Sequence, residues 1–311
     1  MALLFSSKGD DPARWRAELN ARLPDLDFRV WPDAVGDPLD IEYALAWRPK
    51  PGALRAFPNL KAIFSLGAGV DHLFRDPDLP AGVPVVRLVD KALTRNMTQY
   101  VLHWVLHHHR GFDRYAELQH RGEWRTLPVP DPPERRRVGV MGLGVLGKAV
   151  ARALIGLGFT VAGWSRTPKH VAGVESFAGD AGLAPFLGRL DVLVCLLPLT
   201  PETGGIIDKR TLSALPAGAY LINVARGGHL VDEDLLEALD SGHVAGATLD
   251  VFREEPLPEG HPFWAHPRVA VTPHIASQTD PRSAADEVAA NIRRIRAGER
   301  PINIADPTRG Y

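Results

Sequence analysis

The sequence predicts an α/β protein built from two doubly wound parallel-sheet domains. Three observations carry this: short apolar runs alternate with helical stretches, the alternation comes in two series, and a last helix follows without strands of its own. In the first series the runs are Met1–Phe5, Tyr43–Trp47, Lys61–Leu66 and Val83–Arg87, with helical stretches such as Pro12–Leu23 between them. Asn96–Tyr115 is helical in pattern, with apolar residues at Tyr100, Val101, Trp104, Val105 and Phe112. Pro128-Val129-Pro130-Asp131-Pro132-Pro133 fits neither helix nor central strand and reads as a linker. The second series has six strands: Arg137–Met141, Phe159–Trp164, Asp191–Leu196, Ala219–Val224, Gly246–Asp250 and Val269–Thr272. Apolar runs of this kind suit a sheet covered by helices on both faces. Ser283–Ala297 is helical and ends at Gly298. Lacking a strand series, it is expected to cross back to the first domain. The expected organisation is a smaller discontinuous domain, residues 1–97 and 282–311, with residues 98–281 inserted in it as a second domain.

Composition excludes several classes of function. Of 311 residues, 45% are apolar and 23% charged, which rules out a disordered chain. Lys and Arg number 36 against 37 Asp and Glu, so nothing draws the whole chain to nucleic acid or an anionic membrane. No apolar run reaches the roughly 18–20 residues that span a bilayer. Met1–Lys8 has neither the basic segment nor the long apolar stretch of a signal peptide, so the cytoplasm is the expected location. The single cysteine, Cys195, lies in the apolar run Val192–Leu197 and reads as core. His103 and His107 stand at i, i+4, a spacing able to hold zinc, but no acid accompanies them on that face and no metal is expected. That helix, with His108 and His109 also on it, is read instead as lying between domains or subunits with partly exposed imidazoles.

The strand Arg137–Met141 runs into Gly142-Leu143-Gly144-Val145-Leu146-Gly147 and then a helix. This is the strand–GxGxxG–helix arrangement of a Rossmann-like dinucleotide site. Gly142 permits the tight turn, Gly144 lets the backbone approach a pyrophosphate, and Gly147 allows the helix to pack closely on the strand. The helix N-terminus offers unpaired N–H groups to the anion. Residues 98–281 are therefore the expected nucleotide-binding domain, and the smaller one the substrate domain. The next strand ends Gly163-Trp164-Ser165-Arg166-Thr167, without the acid that bonds a ribose 2′-hydroxyl. Ser165, Arg166 and Thr167 offer a guanidinium and two hydroxyls to a 2′-phosphate, so NADPH is expected, with NAD the alternative.

Three more segments put polar groups after apolar strands: Asn223-Val224-Ala225-Arg226-Gly227, Asp250-Val251-Phe252-Arg253-Glu254-Glu255-Pro256 and Thr272-Pro273-His274-Ile275-Ala276. In this order after the glycine loop, they make the chain resemble the D-isomer-specific 2-hydroxyacid dehydrogenases along nearly its whole length. The resemblance implies Arg226 as the substrate arginine, His274 as general acid/base, and Glu255 as the partner that orients the imidazole and favours its protonated form. Glu254 is the other acid in reach, set aside because the motif counts back from Pro256. The chemistry asks for the same groups: a cation for a carboxylate, a proton donor for a carbonyl oxygen, and a hydride source. The resemblance also places Leu197, Pro198, Val224, Ala225, Asp250 and His274 at the cofactor, with Asp250 near the nicotinamide carboxamide. In the first domain, Ser65-Leu66-Gly67-Ala68-Gly69-Val70 looks like the family's substrate loop, whose Ala68 and Gly69 amides reach a carboxylate.

Within that family the chain is most similar to the bacterial A-type glyoxylate/hydroxypyruvate reductases. Tyr43–Trp47, Val101–Trp104, Gly163–Arg166, Gly173–Phe177 and the terminal Arg309-Gly310-Tyr311 carry this likeness. It implies Trp47 over the active site, where an indole favours two- and three-carbon keto acids. The expected reactions are glyoxylate to glycolate and hydroxypyruvate to D-glycerate. A homodimer is implied as well, with Phe112–Arg125 as a candidate part of its interface. Arg48 and Lys50 keep a phosphorylated substrate open, and a larger 2-hydroxy acid is a further alternative. A non-catalytic, cofactor-sensing regulator on the same scaffold is the rival from another class.

Overall fold

The computed structural model describes residues 1–311. The chain divides into two compact units: Met1–Leu93 with Gln278–Tyr311, and Thr94–Ser277. The boundaries expected from sequence fall a few residues C-terminal of these.

The first unit holds a five-stranded parallel sheet: β1 (Ala2–Ser6), β2 (Asp27–Val30), β3 (Ile41–Ala46), β4 (Ala62–Ser65) and β5 (Val85–Val86), in spatial order β2-β1-β3-β4-β5. Helix α1 (Pro12–Arg22) starts where Asp11 accepts from the Ala13 N–H and Pro12 supplies a preset φ. It buries Trp15 and Leu19 against Phe5, Phe28 and Tyr43. The C-terminal helix, Pro281–Arg296, begins with the same Asp-Pro pair and lays Ala285, Val288 and Ile292 into that core. Arg14–Asp280 (2.7 Å) and Arg296–Asp25 (3.0 Å) tie the two ends of the C-terminal helix to α1 and to the turn after it at the surface. Exposed pairs of this kind contribute about 1 kcal/mol at most, so the shared apolar core holds the helix here. A short helix, α2 (Asp71–Phe74), follows β4.

β2 has no counterpart among the expected strands. It is an edge strand in which only Phe28 is buried, so Asp27-Phe28-Arg29-Val30 gives no apolar run.

The second unit carries a seven-stranded parallel sheet: β6 (Arg137–Met141), β7 (Thr160–Ser165), β8 (Val174–Ala178), β9 (Val192–Cys195), β10 (Ala219–Asn223), β11 (Val244–Leu249) and β12 (Val269–Val271). The spatial order is β12-β11-β10-β9-β6-β7-β8. From β6 the chain steps one way to β7 and β8, then returns to the other side for β9 onward. That reversal opens a crevice at the carboxyl ends of β6 and β9, where ligands bind in such sheets. Its helices are α3 (Lys91–Arg110, which begins in the first unit), α4 (Phe112–His120), α5 (Val145–Gly156), α6 (Gly179–Leu187), α7 (Lys209–Ala214) and α8 (Asp232–Asp240). One face of the sheet packs Trp164, Phe186, Leu193 and Leu221, the other Val140, Val150, Leu154 and Ile222.

Two expectations need correction here. The sheet has seven strands, not six, because β8 is a half-exposed edge strand with two charged or polar residues in its middle. The helix expected over 96–115 is two helices: Gly111, at φ +63°, breaks it between α3 and α4. The proline segment 128–133 lies inside the second unit, ahead of β6.

Of the histidines of α3, only His109 departs from the expected partial exposure. His103 and His107 (ring centroids 5.8 Å apart) pack with Trp104 and Phe112, but His109 is buried against Phe159 and His108 stacks on Tyr220 at 4.3 Å. Burial holds the His108 ring neutral by pushing its pKa down to about 4. Cys195 is fully buried, and burial pushes its thiol up to about 12. No helix of the structure is long and apolar enough to cross a membrane.

Candidate active site

At the carboxyl end of β6, Gly142 sits at φ +103° and donates to the Trp164 carbonyl at 2.8 Å. A Cβ there would lie 2.6 Å from the Leu196 carbonyl oxygen, so both its conformation and its packing require glycine. Gly147 is required for packing alone: its Cβ would come within 1.8 Å of the Gly142 oxygen, where α5 crosses the strand end. Gly144 differs from both. Its φ is negative, a Cβ would meet nothing within 4 Å, and it caps α5 with no side chain. The α5 N-terminus, with Val145 and Leu146 in its first turn, therefore faces open space. Leu197 and Pro198 follow β9 beside this loop, and Thr203 Oγ1 holds the Pro198 carbonyl at 2.7 Å.

At the end of β7, Arg166 and Thr167 are exposed, while Ser165 is buried and its hydroxyl donates to the Thr167 carbonyl at 2.8 Å. Of the three, only Arg166 and Thr167 are open to solvent, with Ser165 bracing the turn.

On the other side of the crevice, the ends of β10, β11 and β12 build a hydrogen-bonded cluster. Val224 and Ala225 are buried, and Arg226 follows them, half-buried, with Nη1 on the Ala225 carbonyl at 2.7 Å. Gly227 lies so close to the segment after β11 that a Cβ would sit 1.9 Å from the Phe252 carbonyl carbon. Asp250, 1% exposed, accepts at Oδ1 from Thr272 Oγ1 (2.6 Å) and Ile275 N (2.8 Å), and at Oδ2 from Ala276 N (2.8 Å). Its own carbonyl accepts from His274 N at 2.8 Å. Burial raises the Asp250 pKa, and these donors oppose that by favouring the carboxylate. Asp250 thus fixes the loop that carries His274, which stands at φ +55°.

Glu255 Oε2 lies 3.0 Å from His274 Nδ1, and its Oε1 accepts from Phe252 N at 3.1 Å. The two side chains are 15% and 31% exposed, so their attraction is only partly screened. Glu254 is exposed. A carboxylate on Nδ1 fixes the ring and leaves Nε2 as the nitrogen to meet a reactant.

Sequence reasoning passed over Thr272, Tyr100 and His229. Tyr100, on α3, meets Thr272 Oγ1 at 2.5 Å, extending the Asp250 cluster into the helix. Thr272 stands two residues before His274 and could have been suspected. Tyr100 is 172 residues away and had no local signal.

Trp47, Ala68 and Gly69 belong to the first unit. Trp47 follows β3 and packs on the His72 ring at 4.3 Å, and Gly67 is small where a Cβ would strike the indole at 2.7 Å. Ser65 Oγ receives Gly67 N (3.2 Å) and donates to the Gly69 carbonyl (3.0 Å), which fixes the loop bearing the Ala68 and Gly69 amides.

Residues 102–276 match the family described as D-isomer specific 2-hydroxyacid dehydrogenase, NAD binding domain. The chain is 46% identical, over the full length of both, to glyoxylate/hydroxypyruvate reductase A of Serratia proteamaculans. It is similar in structure to a D-isomer specific 2-hydroxyacid dehydrogenase from Xanthobacter autotrophicus Py2 in complex with NADPH and MES. That match has TM-score 0.96 and 47% identity, covering 100% of this chain and 99% of the other. An NADPH-dependent glyoxylate/hydroxypyruvate reductase from Sinorhizobium meliloti, in complex with NADP and sulfate, superposes with TM-score 0.94 at 39% identity, each chain covered completely. With the glycine loop, the arginine and the Glu–His pair in this order on such a sheet, the chain belongs to the D-isomer specific 2-hydroxyacid dehydrogenase family.

Proposed function

We propose that this protein reduces small 2-keto acids with NADPH, glyoxylate to glycolate and hydroxypyruvate to D-glycerate. The observation that carries the reading is the 3.0 Å Glu255–His274 pair on the sheet edge that also bears Arg226. Full-length relatives with the reductase name, and structural neighbours holding NADPH or NADP, support the substrate class and the cofactor.

The residues present fit the cofactor. The uncapped α5 N-terminus and the open side of Gly144 leave room for a pyrophosphate, while Arg166 and Thr167 present a cation and a hydroxyl for a 2′-phosphate. Val145, Leu146, Leu197, Pro198, Val224, Ala225 and Asp250 complete the proposed cofactor set. NADPH, when bound, supplies the hydride that reduces C2 of the keto acid. Arg226 holds the carboxylate and the neighbouring carbonyl oxygen in its planar fork. His274 gives a proton from Nε2 to that oxygen, so a hydroxyl forms as the carbon is reduced. Glu255 keeps the ring oriented and favours its protonated form before transfer. In the substrate domain the Ala68 and Gly69 amides serve the carboxylate, and Trp47 limits the length of the substrate.

The working form is a homodimer in the cytoplasm, where NADPH is supplied. Phe112–Arg125 belongs to its interface: Trp124 is wholly exposed, and Phe112 and Tyr115 are 48% and 37% exposed. The test is NADPH oxidation with glyoxylate and hydroxypyruvate, beside NADH and a panel of larger and phosphorylated 2-keto acids. Fastest turnover of the two small acids with NADPH is expected. No oxidation with any acid would leave a cofactor-sensing protein instead.

A further inference from the structure

His229 is the one imidazole in the second unit with no exposed surface at all. It ends the tight turn Gly227–His229 that Arg226 opens. Its Nδ1 lies 3.0 Å from the Arg226 carbonyl oxygen and its Nε2 3.2 Å from the Pro198 carbonyl oxygen. Carbonyl oxygens only accept, so the ring bridges the two as an imidazolium with an N–H on each nitrogen. One oxygen is on the residue assigned to the substrate and one on the loop assigned to the cofactor.

The surroundings make this a junction rather than a chance contact. The Arg226 carbonyl also accepts from Asn223 Nδ2 at 3.1 Å and from the His229 N–H at 3.2 Å. The Pro198 carbonyl also accepts from Thr203 Oγ1 at 2.7 Å. Gly205 N donates to Gly228 O and Ile207 N to His229 O, both at 2.8 Å, so the chain after Pro198 is laced to the turn after Arg226. Gly228 fits because a Cβ would press on Leu199, from the same loop, at 2.9 Å. An apolar residue would fill the space left by His229 but would donate to neither oxygen.

We propose that His229 is a positioning residue that ties the backbone of Arg226 to the Pro198 loop, so that the substrate arginine and the cofactor loop are held in one register. This rests on the proposed roles of Arg226 and Pro198, and it adds a residue that touches neither substrate nor cofactor.

The two nitrogens can be tested separately. An Asn amide nitrogen takes the place of Nδ1, a Gln amide nitrogen the place of Nε2, and Leu supplies neither. The measurements are NADPH affinity by fluorescence titration without turnover, KM for glyoxylate, and Tm. His229→Leu should weaken both constants by about 10-fold, the loss of one hydrogen bond from a cationic donor on each side. His229→Asn should restore the glyoxylate KM and leave NADPH weakened. His229→Gln should do the reverse. The tie is overturned if Leu leaves both constants at their wild-type values. It is equally overturned if Asn and Gln shift both constants together in step with Tm, because His229 is then only core. Wild-type protein that binds NADPH but reduces no 2-keto acid would defeat the proposed function alone, since the Gln and Leu titrations still score the Pro198 half.

Discussion

The two sides of the crevice in the second unit are built by opposite rules. Beside β6 and β7 the loop is defined by what is missing: no side chain at Gly144, no cap on α5, and Arg166 and Thr167 standing in the open. Beside β10, β11 and β12 the polar groups are turned on one another. Asp250 takes three donors at 2.6–2.8 Å, and Glu255 holds Phe252 N and His274 at once. The first side is shaped for a ligand that brings its own charge and completes the hydrogen bonds. The second must hold one imidazole in one orientation before any ligand arrives, which calls for preorganised partners.

The largest expected effect lies on the preorganised side. His274→Ala should lower kcat at least about 10²-fold and leave NADPH affinity little changed, as steady-state kinetics and a cofactor titration would show. A variant keeping more than roughly a tenth of wild-type kcat would remove His274 from the proton transfer, since such a group contributes about 10²-fold or more.

His108 separates the pH dependence of the fold from that of the chemistry. Its pKa falls from 6.5 to about 4 in the folded chain, so the unfolded chain binds its proton more tightly. Stability is therefore complete above 6.5 and declines as pH falls from there toward about 4. The expected loss is about 3 kcal/mol. His108→Phe, which keeps a ring on Tyr220, should flatten that acid limb in denaturant titrations while the pH profile of activity keeps its shape.

The glycines divide the open side further. Gly147→Ala should destabilise the protein by about 1–3 kcal/mol or more, because its Cβ has no room. Gly144→Ala should leave Tm nearly unchanged, within about 0.5 kcal/mol, yet weaken NADPH. Equal losses of stability in the two variants would contradict a loop kept open for a ligand. Arg166→Ala should weaken NADPH more than NADH by about 1.5–3 kcal/mol, the loss of one charged hydrogen bond. Equal losses for the two cofactors would move the 2′-phosphate elsewhere.

The same division explains what the sequence revealed. Gly142, Gly147, Arg226, Glu255 and His274 were legible because each sits at a fixed offset from an apolar strand, and strand ends meet at one edge of a parallel sheet. The central strands were legible because burial on both faces demands unbroken apolar runs. β2 and β8 were not, because an edge strand buries too little to leave that mark. Gly111 was overlooked because the apolar spacing continues across it, and only its positive φ turns one helix into two. Tyr100 and His229 were invisible for another reason: their roles come from hydrogen bonds to residues distant in the chain, which spacing does not encode.

The proposed proton transfer depends most directly on Glu255 acting through His274. Reduction needs the protonated imidazole and oxidation the neutral one, so the reductive rate should fall, and the oxidative rate rise, as the ring loses its proton. Glu255→Gln keeps the size of the side chain and removes its charge at 3.0 Å from the ring. The measurement is kcat/KM against pH in both directions, in wild type and Glu255→Gln. The reductive limb should move to lower pH in the variant, with oxidation near neutrality suffering less than reduction. A reductive limb that stays in place, or moves to higher pH, would contradict it.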